Sequence, residues 1–581
     1  MSQNVVKTEH TSDVVICGAG LAGLTLARQL KQTLPQCSII LIDSLSRPLP
    51  EAAFKVGESM TEAGGHYLAE KLKLTDYFEQ HHVLKLGLRF FFSNDADAFH
   101  DRPELGLSRF PKVDSYQVDR GVLEADLRQF NVDAGIELLE GVSVKDIILG
   151  ENEKAHEVIL DGNNSPKFQQ IKARWVVDAM GRRRFLQKKL GLTQDGRRKK
   201  YSSAWFRFKE RVDVSDLVPR DQADWHERVP DGRYNSTNHL MGAGYWVWII
   251  PLVSDYTSIG IVAHEDIHPY AGFKTFPLAM QWLKTHEPAL AAHLADREPL
   301  DFKGMRRYSY SSKQAFSDRR WACVGEAAVF SDPFYSVGTE MIGFSNTMTT
   351  EMIRLDFEGK LTPDRVLSYN QFLLSYNDAL TDNIQVAYPF FGNPVVMTAK
   401  VIWDTTAAWS FTGAQLFNSI YLCPEKSAQI RQVTSHFFFL TRRIQQLFAE
   451  WAEKSPGRLS FDFIDYFFNI DLLSKLRVRN LQAGKNLPEL IENQQTNMAR
   501  IEELAQVLFL LAVEDVMPER LAHFPEPIWL NAWRVSLQPE RWEADGLLQP
   551  KSQPRDCSTM REQIRSLFSV KEKEIPTASG S

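Results

Sequence analysis

The first apolar run of the chain, Asp13-Val14-Val15-Ile16-Cys17, lacks polar alternation, which predicts a strand buried on both faces in a parallel sheet. Residues 24–34 then carry apolar positions at helical spacing, and residues 38–42 form a second apolar strand that ends in Asp43. Two further short runs, Trp175-Val176-Val177 and Trp321-Ala322-Cys323-Val324, predict buried strands of the same kind. Tyr245-Trp246-Val247-Trp248-Ile249-Ile250-Pro251 predicts another strand, with Trp246 and Trp248 on one face because side chains alternate along a strand. From about residue 348 the spacing turns helical, with aromatic-rich apolar faces at 435–451 and 501–513.

A chain of 581 residues holds three to four domain-sized units at roughly 150 residues each. With 44% hydrophobic and 24% charged residues it has globular composition, which excludes wholesale disorder. The 67 basic and 73 acidic residues leave a net charge of −6, so no nucleic-acid partner is expected. Five scattered cysteines, never in a C-x-x-C pair, argue against a disulfide framework or a metal site and fit a reducing, cytoplasmic compartment. The polar residues 1–12 carry no secretory signal pattern. The most apolar later stretch, 389–422, is interrupted by Lys400, Asp404 and Asn418, so no membrane span is expected.

Gly18-Ala19-Gly20-Leu21-Ala22-Gly23 follows the first strand at once and opens the helix. Strand, G-x-G-x-x-G, helix, second strand and an acid about 20 residues on form the dinucleotide fingerprint. Gly18 permits the tight turn, Gly20 lets the backbone approach a pyrophosphate, and Gly23 lets helix and strand pack closely. The helix N-terminus offers free N–H groups to phosphate, and Asp43 can accept from a ribose. Asp43-Ser44-Leu45 imitates a phosphopantetheine-attachment serine but lies at a strand end, which speaks against that reading.

Three later segments point to FAD. Trp175 to Arg182, ending in Asp178-Ala179-Met180-Gly181, resembles the return of the chain beside the ADP moiety in flavoprotein monooxygenases. Gly325-Glu326-Ala327-Ala328, with Asp332-Pro333 and Ser336-Val337-Gly338, resembles their G-D-A-A…P…G segment along the ribityl chain and flavin, with Glu326 replacing the usual Asp. Val118-Asp119-Arg120 resembles their FAD-contacting arginine. The expected fold is α/β: a Rossmann-like FAD-binding domain with an interleaved antiparallel substrate sheet over 1–347, a helical domain over 348–570, and a disordered tail over 571–581.

Trp246-Val247-Trp248-Ile249-Ile250-Pro251 resembles the W-x-W-x-I-P run that separates flavin-dependent halogenases from their hydroxylase relatives. Lys85, in Lys85-Leu86-Gly87-Leu88-Arg89-Phe90 after Val56-Gly57-Glu58-Ser59, resembles that family's essential lysine in a strand of the form K-x-x-x-(K/R)-F after a V-G-E-(A/S) turn. The resemblance implies that Trp246 and Trp248 wall the flavin off from the organic substrate. It implies that the backbone at Val337 and Gly338 cradles chloride or bromide, and that Lys85 passes hypohalous acid to an electron-rich aromatic carbon. A separate flavin reductase would supply reduced FAD. Tyr335 stands where tryptophan halogenases carry a glutamate, so the resemblance is to the branch acting on phenols, pyrroles or carrier-bound aryl groups in antibiotic and other secondary-metabolite biosynthesis. Glu58 and Glu340 are nearby carboxylates without an assigned role. The rival readings on the same fold are an NAD(P)H-dependent aromatic hydroxylase, a non-catalytic FAD-binding partner protein, and an isoprenoid reductase that has no use for the tryptophan pair. The basic residues Arg182, Arg183, Arg184, Lys188, Lys189 and 197–200 read as a solvated face, or as a docking patch for an acidic carrier protein.

Overall fold

The computed structural model describes residues 10–49, 55–93, 98–111, 113–151, 154–161, 169–194 and 200–571. Arg197, Arg198, Lys199 and nearly all of the expected tail lie outside the described residues. Strand β1 (His10–Cys17) lies in parallel between β2 (Ile39–Asp43) and β5 (Gln170–Asp178). The sheet runs from an edge pair at Phe316–Ser317 through β11 (Trp321–Cys323), β5, β1 and β2 to β4 (Glu137–Glu140). Val14, Val15, Ile16 and Cys17 are fully buried, as a strand covered on both faces must be. Helix α1 (Leu21–Thr33) packs on α3 (Gly338–Phe357) and on α2 (Arg120–Asp133).

A second eight-stranded sheet follows the order β10 (Asp301–Met305), β6 (Tyr201–Phe208), β9 (Thr257–His264), β8 (Tyr245–Pro251), β7 (Thr237–Gly242) and β3 (Leu88–Phe92). Two short strands, Glu104–Leu105 and Phe463–Ile464, complete it. Alternation along β8 divides its side chains as expected. Tyr245, Val247 and Ile249 enter the core on one face, while Trp246, Trp248 and Ile250 enter the core on the other.

The chain after α3 is helical: α4 (Pro363–Gln385), α5 (Pro394–Ala407), α6 (Pro424–Lys454), α7 (Asp471–Leu481) and α8 (Leu487–Val516). Proline stands in the first turn of α4, α5, α6 and α8, where its missing N–H costs nothing. Thr362, Asn393 and Asn486 cap three of these starts through their side chains. Trp403, Phe448 and Leu508 of α5, α6 and α8 share one hydrophobic core with Trp246 and Trp248. The helices therefore extend the core on the sheet face that carries the tryptophans.

One expectation needs correction here. Arg184 is not part of a solvated basic face; it is 5% exposed, with its guanidinium 3.9 Å from the centre of the Tyr310 ring.

The substrate sheet also buries charge. Glu104 is fully buried and accepts hydrogen bonds from Arg233 Nε and Nη2, both at 2.8 Å, and from Arg89. Removing a carboxylate that neutralises two buried guanidinium groups leaves uncompensated charge. Glu104→Ala is expected to cost about 3–5 kcal/mol, read as a lower midpoint of thermal unfolding than Glu104→Gln, which keeps a hydrogen-bond acceptor.

Candidate active site

The glycine turn connects β1 to α1. Gly18 has φ +109°, and a Cβ there would lie 2.4 Å from the Ala179 carbonyl oxygen. A Cβ on Gly23 would lie 1.9 Å from the Gly18 carbonyl oxygen, so helix and turn could not close. Gly20 differs: no protein atom comes within 4 Å of the Cβ position. Space kept open over the first turn of a helix fits a ligand's phosphates. Gly338, at the start of α3, also faces open space.

The two acids of this region work on the protein itself. Asp43 Oδ2 accepts from Ala19 N at 2.8 Å and from Arg128 Nη2 at 3.0 Å, while Oδ1 accepts from Leu45 N at 2.8 Å. Asp178 is buried and accepts from Met180 N at 3.0 Å and Leu186 N at 2.8 Å. Burial pushes its pKa up to about 6, against these two N–H donors. Both carboxylates thus brace the turns around the nucleotide fingerprint.

A cleft lies between the two sheets and α3. Its lining brings together Arg120, Trp246, Trp248, Gly325, Glu326, Ser336 and Gly338, seven of the residues singled out in the sequence. Arg120 Nη1 donates to Val56 O at 3.0 Å, and its Nε and Nη2 donate to Glu124. Its charge and that of Glu326 attract across the cleft. Glu58, also on the wall, is paired with Arg207 Nε at 2.7 Å, and burial raises its pKa.

Lys85 stands just behind this wall. It is not inside a strand: residues 85–87 break from strand geometry before β3, with Gly87 at φ +96°. Lys85 N instead donates to Ser115 O at 2.8 Å, and Leu86 N to Asn235 O at 2.9 Å. The break turns the side chain inward, where it is 3% exposed. Its Nζ donates to Ser59 Oγ and to Met60 O, each at 2.8 Å. Desolvation lowers the Lys85 pKa to about 8, with the Glu62 carboxylate opposing the shift. Ser59 Oγ also meets Thr237 Oγ1 at 2.7 Å and accepts from Ser336 Oγ at 3.1 Å. Lys85 is thereby linked through one hydroxyl to the Ser336 turn. Ser59 and Thr237 carry this link; Ser59 was visible only as the last letter of a motif, and Thr237 gave no signal.

Ser336 is held at φ +63°, the left-handed region, with its N–H on Pro333 O at 2.8 Å. Val337 follows, 4% exposed, and α3 begins at Gly338 with no side-chain cap. The free N–H groups of this helix start border the cleft and favour an anion. Before Ser336, Tyr335 Oη donates to Asp404 Oδ2 at 2.8 Å, and the same oxygen takes Lys400 Nζ at 2.8 Å.

Across the cleft, Trp246 and Trp248 rings stand 5.7 Å apart and inclined by 47°. Trp248 Nε1 donates to Ser258 Oγ at 3.2 Å and Trp246 Nε1 to Tyr388 Oη at 3.1 Å. Tyr388 and Tyr308 each donate to Asp332 Oδ2 at 2.9 Å. His239, 5.3 Å from Trp246, is kept neutral by burial, which lowers its pKa to about 3. Tyr388 comes from the turn between α4 and α5, and no sequence pattern connects it to β8.

Comparison with known proteins agrees with this geometry. Residues 11–267 match the family model described as an FAD binding domain. The flavin-dependent halogenase chlA of Dictyostelium discoideum is 26% identical over 483 residues, 78% of each chain. The 1H-pyrrole-2-carbonyl-(peptidyl-carrier protein) chlorinase of Pseudomonas fluorescens is 26% identical over 355 residues, 58% of this chain and 74% of its own. In fold, the chain is similar to halogenase PltM in complex with phloroglucinol and FAD, with TM-score 0.60 and 18% identity over 85% of this chain and 96% of that one. The chain carries an FAD-binding domain in an α/β fold with a helical C-terminal region. Among the described residues, no helix is long and apolar enough to cross a membrane.

Gly20→Ala tests what occupies the glycine turn. The added methyl meets no protein atom, so thermal unfolding of the apoprotein should be unchanged, while FAD affinity, followed by flavin fluorescence, should fall at least about tenfold, the effect of losing roughly 1.4 kcal/mol. Gly18→Ala should lower both.

Proposed function

We propose that this chain is an FAD-dependent halogenase that installs chloride or bromide on an electron-rich aromatic carbon of a phenolic, pyrrolic or carrier-tethered substrate. The observation that carries the reading is the hydrogen-bonded path Lys85–Ser59–Ser336. It joins a buried lysine to the turn at the foot of α3, beside a wall of two indoles. Its relatives bear halogenase names, and one of them is named for a carrier-bound pyrrole.

Bound FAD, reduced by a separate reductase, would give oxygen two electrons, and the halide would give it two more as it becomes hypohalous acid, the second oxygen atom leaving as water. The residues of the chain do the rest. Gly20 leaves room for the pyrophosphate, and Arg120 and Glu326 line the cleft for the remainder of the cofactor. The left-handed Ser336 and the N–H groups at Val337 and Gly338 hold the halide. Trp246 and Trp248 bar a bulky aromatic from the cleft but leave space for a triatomic acid. Lys85 Nζ, with two N–H groups already on Ser59 and Met60, has one left to donate to the oxygen of the hypohalous acid. That bond makes the halogen more electrophilic; an aryl C–H becomes C–X, and the oxygen leaves as water with the ring proton. A preformed donor in a buried site is worth far more than one in water.

Liquid chromatography with mass detection on the protein with FAD, a flavin reductase, NADH, oxygen, bromide and a panel of phenols and pyrroles should give an enzyme-dependent brominated product. Catalase in the mixture excludes bromination by free peroxide. A hydroxylated product in its place overturns the reading and makes the indole pair structural. Lys85→Ala should abolish aryl halogenation while FAD binding and flavin reoxidation persist. Since only the ammonium form of Lys85 has a third N–H beyond those held by Ser59 and Met60, and burial has brought its pKa down to about 8, halogenation should fall about tenfold per pH unit above that value. A rate that instead rises through pH 8 would assign the work to the free amine.

A further inference from the structure

Asp332 is fully buried at the head of the segment that leads to Ser336, and it lines the cleft. Its two oxygens hold different parts of the fold. Oδ1 accepts the backbone N–H of Phe334 at 3.1 Å, inside the Pro333–Ser336 turn. Oδ2 accepts both phenols, Tyr308 and Tyr388, at 2.9 Å. The two phenol oxygens are 3.3 Å apart. Since Tyr388 spends its one proton on Asp332, its lone pairs are turned toward Trp246, whose indole N–H it accepts at 3.1 Å. Phe334 is wedged between these parts, with its ring 5.4 Å from that of Trp246 and 4.6 Å from that of Phe391.

A buried carboxylate that receives three donors makes charge-assisted bonds, and each bond polarises the next. The orientation of Trp246 therefore depends on Asp332 through Tyr388, although the two residues do not touch. The same carboxylate limits where the Ser336 turn can begin. We propose that Asp332 is a positioning residue that fixes the indole wall and the Ser336–Gly338 turn relative to one another, through Tyr388 on one oxygen and the Phe334 backbone on the other. The meaning of the wall and turn as a halide chamber rests on the halogenase reading; the mechanical link between them does not.

The test uses the full chain with its 13 tryptophans replaced by 5-fluorotryptophan and loaded with FAD. Trp246→Phe identifies the fluorine resonance of Trp246 by its loss. Asp332→Asn keeps the shape of the side chain but leaves at most one oxygen to accept, and Tyr388→Phe removes the phenol that joins Asp332 to Trp246 while leaving the bond from Phe334 N to Asp332 Oδ1 in place. Both should move the Trp246 resonance beyond its linewidth. Tyr308→Phe, which leaves the bonds from Tyr388 to Asp332 and to Trp246 in place, should move it less than either. Titration with bromide, followed on the same resonance, should show affinity about tenfold weaker in Asp332→Asn, the size of one lost hydrogen bond, and unchanged in Tyr388→Phe. A Trp246 resonance that stays in place in Asp332→Asn overturns the proposal, as do equal shifts in all three variants. Bromide affinity lost equally in Asp332→Asn and Tyr388→Phe also overturns it, because a general loosening of the core would do the same. If bromide leaves the wild-type resonance untouched, the halide reading fails, and the shifts among the three variants still decide the link.

Discussion

Burying the Lys85 ammonium is the constraint from which the site's arrangement follows. A charge taken out of water must be hydrogen-bonded or given up. Here it is given two acceptors, a hydroxyl and a carbonyl, and among the described residues no carboxylate is paired with it. The result is a lysine poised between its charged and neutral forms rather than locked into an ion pair. A direct Asp or Glu partner would have held it charged at every physiological pH and would have taken the N–H needed elsewhere. Ser59 then becomes the hinge of the arrangement, because one oxygen serves the lysine, Thr237 of the substrate sheet and Ser336 of the turn.

The elements that follow from local rules were readable in the chain. An unalternating apolar run gives β1, alternation gives β8, and the glycine spacing gives a turn whose steric demands at Gly18 and Gly23 are those expected of it. Seven predicted residues line one cleft: Arg120, Gly325, Glu326, Ser336 and Gly338 stand at or beside the ends of elements, and Trp246 and Trp248 stand on one face of β8. Lys85 lies behind the cleft wall through Ser59, in a break of the backbone rather than in the expected strand, where Gly87 takes φ +96°. The break depends on the Ser115 and Asn235 carbonyls, which are contributed from other parts of the chain.

What stayed hidden has one physical cause: it is held by partners far apart in sequence. The Tyr388 phenol reaches Asp332 from 56 residues away and Trp246 from 142. Asp43 and Asp178 show the converse. Each stands at a motif position, yet each carboxylate is already engaged by backbone N–H groups, so a motif letter can mark a brace as readily as a contact. Tyr335 departs from the pattern of tryptophan halogenases, and the fold places a carboxylate behind it after all. Asp404, on α5, receives the phenol and the buried Lys400 together.

The strand Phe463–Ile464 pairs in parallel with Glu104–Leu105 at the rim of the substrate sheet. During synthesis that rim emerges long before its neighbour, and until then it carries a row of unpaired backbone groups beside two arginines drawn to Glu104. A contact spanning so much of the chain is slow to form and leaves a nascent sheet open to the wrong strand. A chain that stopped short of Phe463 would therefore expose an adhesive edge at Glu104–Leu105 where the complete sheet has a paired strand.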